Sequence, residues 1–190
     1  MKKKLSEYLR DGEKVLWEGK PETFPLLDQA LKYTLLIRWI VTVAVTIAVL
    51  FLYMARNAKY SMGFIALLML VALVVIAAPV MERRNLLAQK YWLTNQRAIM
   101  MNKDKTFYYL ELDQIDDYQT IGDQAEFDCL ALGSSVVGDT AKQLRWRACH
   151  PQIDLQGQSA QDNVIGMIFY CVSNADGAVA VLKSHRAKAA

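Results

Sequence analysis

The sequence predicts a membrane hairpin of two helices, then a strand-rich antiparallel unit that ends in a helix. Three observations carry this. Two long runs contain no charged residue, short β-favouring runs recur between turn residues from Tyr91 onward, and the apolar spacing returns to a helical period after Val172. The segments fall at 1–34, 35–82 and 88–188.

The first segment opens "MKKKLSEYLRDGEKVLWEGK". It is basic but has no apolar h-region, so it does not read as a secretory signal peptide. Val15, Leu16 and Trp17 favour a short strand that Gly19–Pro21 ends as a turn. Trp17 has two readings: a docking anchor for a partner, or a ring that packs back on the folded unit or adds an edge strand to it. In "PETFPLLDQALKYTLL", Leu26, Leu27, Ala30, Leu31 and Thr34 share helical spacing, which fits a membrane-surface helix or a lead-in to the first span.

The spans are expected at 35–55 and 62–81. Trp39 to Ala55 is seventeen residues without a charge, and Met62 to Met81 is twenty. About 20 helical residues cross a ~30 Å hydrocarbon core. Arg38 can snorkel from the end of its span, and Pro79 lies in the last turn, where a kink costs little. Only "RNAKYS" separates the runs, so they form an antiparallel hairpin. Lys20, Lys32, Arg38, Arg83, Arg84 and Lys90 flank its outer ends against Arg56 and Lys59 in the connection. The positive-inside bias places both termini in the cytoplasm of a multi-pass cell-membrane protein. Tyr33, Trp39, Tyr53 and Tyr60 suit the interface.

Strands are expected over Tyr91–Thr94, Ala98–Met101, the "TFYYLEL" run, Ile115–Ile121, Phe127–Leu132, Gln143–Cys149 and Val164–Val172. Asn95–Gln96 makes the first turn, since Asn tolerates a left-handed backbone and its side chain bonds nearby amides. "NKDK" makes the second. Seven short strands at this spacing give an antiparallel barrel or sandwich, because parallel sheets need longer crossovers. Asn174 or Asp176 can cap a final helix in "DGAVAVLKSHRAK", which would plug an open barrel end.

A net charge of +3 is too weak to argue for nucleic acid. Cys129, Cys149 and Cys171 are odd in number and widely spaced, as expected of free thiols in a reducing compartment. Cys149–His150 lacks the companions of a metal or nucleophile site. Asp113 and Asp117 on one strand face would stand about 13 Å apart, too far to share an ion. With no catalytic, cofactor-binding or metal-ligating motif present, the chain is expected not to be an enzyme and to need no cofactor.

"GEKVLWEGKPE", the two spans, "YWLTNQRAIM" and "FYYLELDQIDDY" together resemble the bacterial membrane-associated pleckstrin-homology-like (PH-like) proteins. Gly12, Glu13, Val15, Leu16, Trp17, Gly19 and Pro21 match an early Gly-Glu-x-Val-Leu-Trp-x-Gly-x-Pro stretch. Tyr91, Leu93, Thr94 and Arg97 match a Tyr-x-Leu-Thr-x-x-Arg hairpin, followed by Leu112 and Ile115. The match thins between Gly122 and Asn163. The resemblance implies a seven-stranded, partly open PH-like barrel closed by a C-terminal helix, and implies little about biochemistry.

The expected function is a membrane-tethered interaction or scaffolding module that binds a protein partner at the cytoplasmic surface. Tethering raises local concentration, so even a weak site would work. The alternatives are anionic-lipid headgroup binding, or a small membrane subunit of an oligomeric complex, including a homo-oligomer. Candidate contacts are Trp17, Arg97, Lys103 and Lys105, with Asp104 offsetting the two lysines.

Overall fold

In a computed structural model, the described residues are 5–27, 32–56, 59–122, 127–137, 152–153 and 162–189. The chain divides into two compact units, Met1–Phe24 with Arg84–Ala190, and Pro25–Arg83.

The second of these holds helix α2 (Lys32–Arg56) and all but the last three residues of helix α3 (Met62–Leu86), which belong to the first. Both are long and apolar enough to cross a membrane, and both extend beyond the expected spans. The Tyr53 hydroxyl accepts a hydrogen bond from Ser61 N–H at 2.9 Å, and its ring lies 4.4 Å from that of Phe64. These contacts join the last turns of α2 to the start of α3. Thr42 and Thr46 donate to the carbonyls of Arg38 and Thr42, each at 2.7 Å, so their hydroxyls are satisfied within α2. Of the surface helix considered around Leu26–Thr34, residues 28–31 lie outside those described, while Leu26 and Leu27 form a turn and residues 32–34 open α2.

The other unit begins with α1 (Leu5–Tyr8) and β1 (Val15–Gly19). After the hairpin come β2 (Lys90–Thr94), β3 (Arg97–Met101) and β4 (Phe107–Glu111). These make one antiparallel sheet in the order β1-β2-β3-β4. The expected first hairpin is present. Its turn works differently, however: Asn95 is not left-handed, whereas Lys105 in the β3–β4 turn is, at φ 68°. The Asn95 side chain instead accepts from Lys14 N–H at 2.8 Å, tying the turn to the start of β1.

A 3₁₀ turn at Leu112–Gln114 breaks the chain before β5 (Tyr118–Ile121). β6 (Cys129–Leu132) and β8 (Val164–Phe169) join β5 in a second antiparallel sheet, with the two-residue β7 (Gln152–Ile153) on the far side of β8. A short helix, α4 (Ser134–Val137), follows β6, and α5 (Ala175–Ala189) ends the described chain. Asn174 caps α5, its Oδ1 accepting from Gly177 N–H at 3.0 Å.

Three expectations change. Among the described residues the sheets do not close into a barrel, because the Leu112–Gln114 turn interrupts the ladder and a single parallel bridge, Tyr109–Asn163, links them. That turn also removes Asp113 from any strand. Residues 5–24 do not stand apart with the rest of 1–34, since β1 pairs with β2 from Val15↔Thr94 to Gly19↔Tyr91. The strand expected at Gln143–Cys149 lies outside the described residues, as do Cys149 and His150.

The strand period of two sorts the first sheet into an inner and an outer layer. Tyr91, Leu93, Ala98, Met100 and Leu110 meet Leu130, Leu132, Met167 and Phe169 of the second sheet, with Ala175, Ala178 and Leu182 of α5 completing that core. On the outer face, Trp92, Ile99 and Phe107 are covered by Leu5, Tyr8 and Leu9.

Candidate functional site

Two polar constellations stand out among the described residues of the strand-rich unit, one closed and one open. The closed one begins at Gly12, whose φ of 77° allows a turn that few other residues would adopt. That turn aims Glu13 inward. The Arg97 guanidinium donates to Glu13 through Nε at 2.9 Å to Oε1 and through Nη2 at 3.0 Å to Oε2. The Thr94 hydroxyl donates to Oε1 at 2.7 Å, and Arg10 N–H donates to Oε2 at 2.7 Å. Arg97 also donates to the Tyr8 carbonyl at 2.7 Å and sits between the rings of Tyr8 and Tyr109, 4.8 and 4.9 Å from their centroids.

Both partners are buried. Burial alone would push the Glu13 carboxyl up, but the bonds from Arg97, Arg10 and Thr94 outweigh it and hold the group below its ordinary value. Burial, with Asp162 adding to it, pushes the Tyr8 phenol up to about 12, so the ring facing the guanidinium stays neutral. Arg97 therefore has no free face for a ligand. Its role is to latch the N-terminal segment onto the β2–β3 turn.

Trp17 is also inside, only 7% exposed. Its indole N–H donates to the Asn174 carbonyl at 3.0 Å, and its ring stacks on Phe169 at 5.7 Å. Phe169 stacks in turn on Tyr91 at 4.7 Å. The indole also lies over Gly19, where any Cβ would collide with it. Of the two readings of Trp17, the structure has the packed one, with an edge strand added. What stays exposed on β1 is Val15, Leu16, at 53%, and Glu18.

The open constellation is a recess of about 400 Å³ lined by Asn85, Gln89, Asn102, Lys103 and Asp104. Gln89 forms its buried wall, donating to Asn102 Oδ1 at 2.9 Å and accepting from the Tyr91 hydroxyl at 2.8 Å. Lys103 Nζ donates to Asn85 Oδ1 at 3.3 Å. The Asp104 carboxylate accepts from Thr106 N–H at 3.0 Å, and bonds from Thr106 hold it below the ordinary carboxylate range. Lys105 is exposed in the same turn. Of the four contacts expected from the sequence, the structure thus withdraws Trp17 and Arg97 into the interior and leaves Lys103 and Lys105 at the surface. Sequence reasoning missed Asn85, Gln89 and Asn102. Uncharged amides carry little pattern of their own, and their shared polarity between α3 and the second turn was the available signal.

Elsewhere, Asp116 accepts from Ser134 N–H at 2.8 Å, so this acid organises a loop. No group of three or more His, Cys, Asp or Glu side chains suited to a metal ion occurs among the described residues. Comparison with protein-family models, curated proteins and solved structures finds no match for this chain.

Proposed function

We propose that this chain is a membrane-anchored interaction module whose PH-like domain is held at the cytoplasmic surface and binds a protein partner there. One observation carries the reading. The two long apolar helices are inserted between β1 and β2, which are neighbouring strands of one sheet. The chain therefore leaves the sheet at Gly19 and rejoins it at Lys90, at adjacent strand ends about 5 Å apart across a ladder, with residues 20–31 leading from β1 to α2. A fold interrupted in this way is fixed to its anchor at two points.

The PH-like assignment draws support from the two antiparallel sheets around one core, the helix after the last strand, and the meeting of both resemblance motifs at Glu13 and Arg97. A protein partner is favoured by β1, an edge strand that exposes Val15 and Leu16. Multivalent anionic-lipid recognition is less supported, because Arg97 is buried and paired.

Orientation is tested with Lys59→Cys in a Cys149→Ser background. A membrane-impermeant thiol probe should label intact cells from outside, and labelling only after lysis would reverse the topology. For the partner, a photocrosslinking residue at Leu16 should trap a specific protein in intact membranes, with exposed Lys183 as the control position. Equal adducts at both positions would remove the partner assignment.

A further inference from the structure

The recess beside the β3–β4 turn has a composition unlike that of a polyanion site. It offers one ammonium, Lys103, one carboxylate, Asp104, and three carboxamides. A multiply phosphorylated ligand would gain one cation there and meet one anion of its own sign. A ligand with one negative and one positive centre would find a partner for each. Asn85 and Asn102 accept hydrogen bonds through their amide oxygens, from Lys103 and Gln89. Their NH₂ groups are the donors suited to phosphate oxygens.

The chain also limits where this recess lies, given the membrane reading on which this inference rests. Asn85 follows Met81, the end of the uncharged run, by four residues. These residues are still in α3, where four residues rise only about 6 Å. The polar headgroup layers add about 5–8 Å to each side of the hydrocarbon core, so the recess stays within reach of lipid headgroups. Its volume falls inside the ~300–1,000 Å³ of small-ligand sites.

We propose that this recess binds the headgroup of a zwitterionic phospholipid with a primary ammonium, of the phosphoethanolamine type. Lys103 and the amides of Asn85 and Asn102 hold the phosphodiester, and Asp104 accepts hydrogen bonds from the ammonium. A quaternary ammonium has no N–H to donate to Asp104, and a glycerol headgroup has no positive charge to offer it. The site therefore selects phosphatidylethanolamine over both phosphatidylcholine and phosphatidylglycerol.

The test uses the full chain in detergent micelles, titrated with equal amounts of the three lipids, with retained lipid counted by native mass spectrometry. Phosphatidylethanolamine should be retained about ten-fold over the others, the scale of one charge-assisted hydrogen bond. Asp104→Asn should remove that preference and Lys103→Ala should lower the retention of all three lipids, each leaving the unfolding midpoint near that of the parent. Equal retention of all three lipids, preference for phosphatidylglycerol, an Asp104→Asn variant that keeps the preference, or a Lys103→Ala variant that retains lipid as the parent does would overturn the assignment. Free glycerophosphoethanolamine, run in parallel, separates the two sources of this chemistry. Saturation by it without any lipid preference would make a soluble phosphodiester the ligand and overturn the lipid. Vesicle flotation distinguishes the underlying reading: a chain that floats with vesicles of every composition but shows no selectivity loses the site alone, whereas a chain that floats with none loses the membrane anchor as well.

Discussion

Glu13 and Arg97, 84 positions apart, form a buried ion pair in which both carboxylate oxygens receive a guanidinium hydrogen bond. The pair joins the segment before the hairpin to the turn after it. Thr94 and the Arg10 amide complete the shell around the carboxylate.

Removing one partner leaves the other buried and uncompensated. Arg97→Ala should therefore destabilise the full chain by about 3–5 kcal/mol, read as a lowered unfolding midpoint in a fixed detergent. Combining Glu13→Leu with Arg97→Met should recover most of that loss, because neither charge is then stranded. An Arg97→Ala protein with unchanged stability and a lost ligand would return Arg97 to the list of contacts.

Acid should weaken the same latch. The folded-state value of Glu13 is depressed, so its stabilisation is present above the unfolded value of about 4.3 and is lost as pH falls through the lower folded value. Urea midpoints measured from pH 7 down to pH 3 should fall steeply below about pH 4.3. Glu13→Gln should start lower and show a shallower fall. Parallel curves for the two proteins would mean that Glu13 does not titrate in this way.

Trp17 and Gly19 make a second dependence, within one strand. Gly19→Ala forces the indole off Phe169 and should cost about 1–3 kcal/mol, as overpacking does. Trp17→Phe keeps a ring but loses the bond to the Asn174 carbonyl, a cost of about 1 kcal/mol. Trp17→Ala should exceed both, at about 3–5 kcal/mol. Thermal melts of the three variants give the order, and a harmless Gly19→Ala would remove the steric account.

A fragment beginning at Gln89 lacks β1 and its share of the core, and should not fold. Joining residues 5–24 to residues 84–190 by a short flexible linker should restore cooperative unfolding and dispersed amide spectra. A well-folded Gln89–Ala190 fragment would show that β1 is dispensable.

Local elements were largely legible. β2 and β3 announce themselves through β-favouring residues on both sides of a polar pair, and α2 and α3 through the length of their uncharged runs. Long-range relations were not. Arg97 reads as a surface cation because its sequence neighbours are turn residues, and nothing nearby shows that Glu13 folds over it. Likewise, β1 is too short to declare its partner, and about 70 residues of other structure separate it from β2. The resemblance motifs did contain both halves of the latch, but as two strings rather than as a contact.

The interrupted sheet has a consequence for how the protein is made. During synthesis β1 emerges first and waits for β2 while the hairpin is translated, about 4–14 s at ~5–20 residues per second. In the proposed anchored state, a chain that inserts only one of its helices strands β1 and β2 on opposite sides of the bilayer. Such a chain can close neither the Glu13 latch nor the Trp17 stack. In that proposed state, completion of the fold would act as a proofreading step for insertion, leaving misinserted copies open to proteolysis.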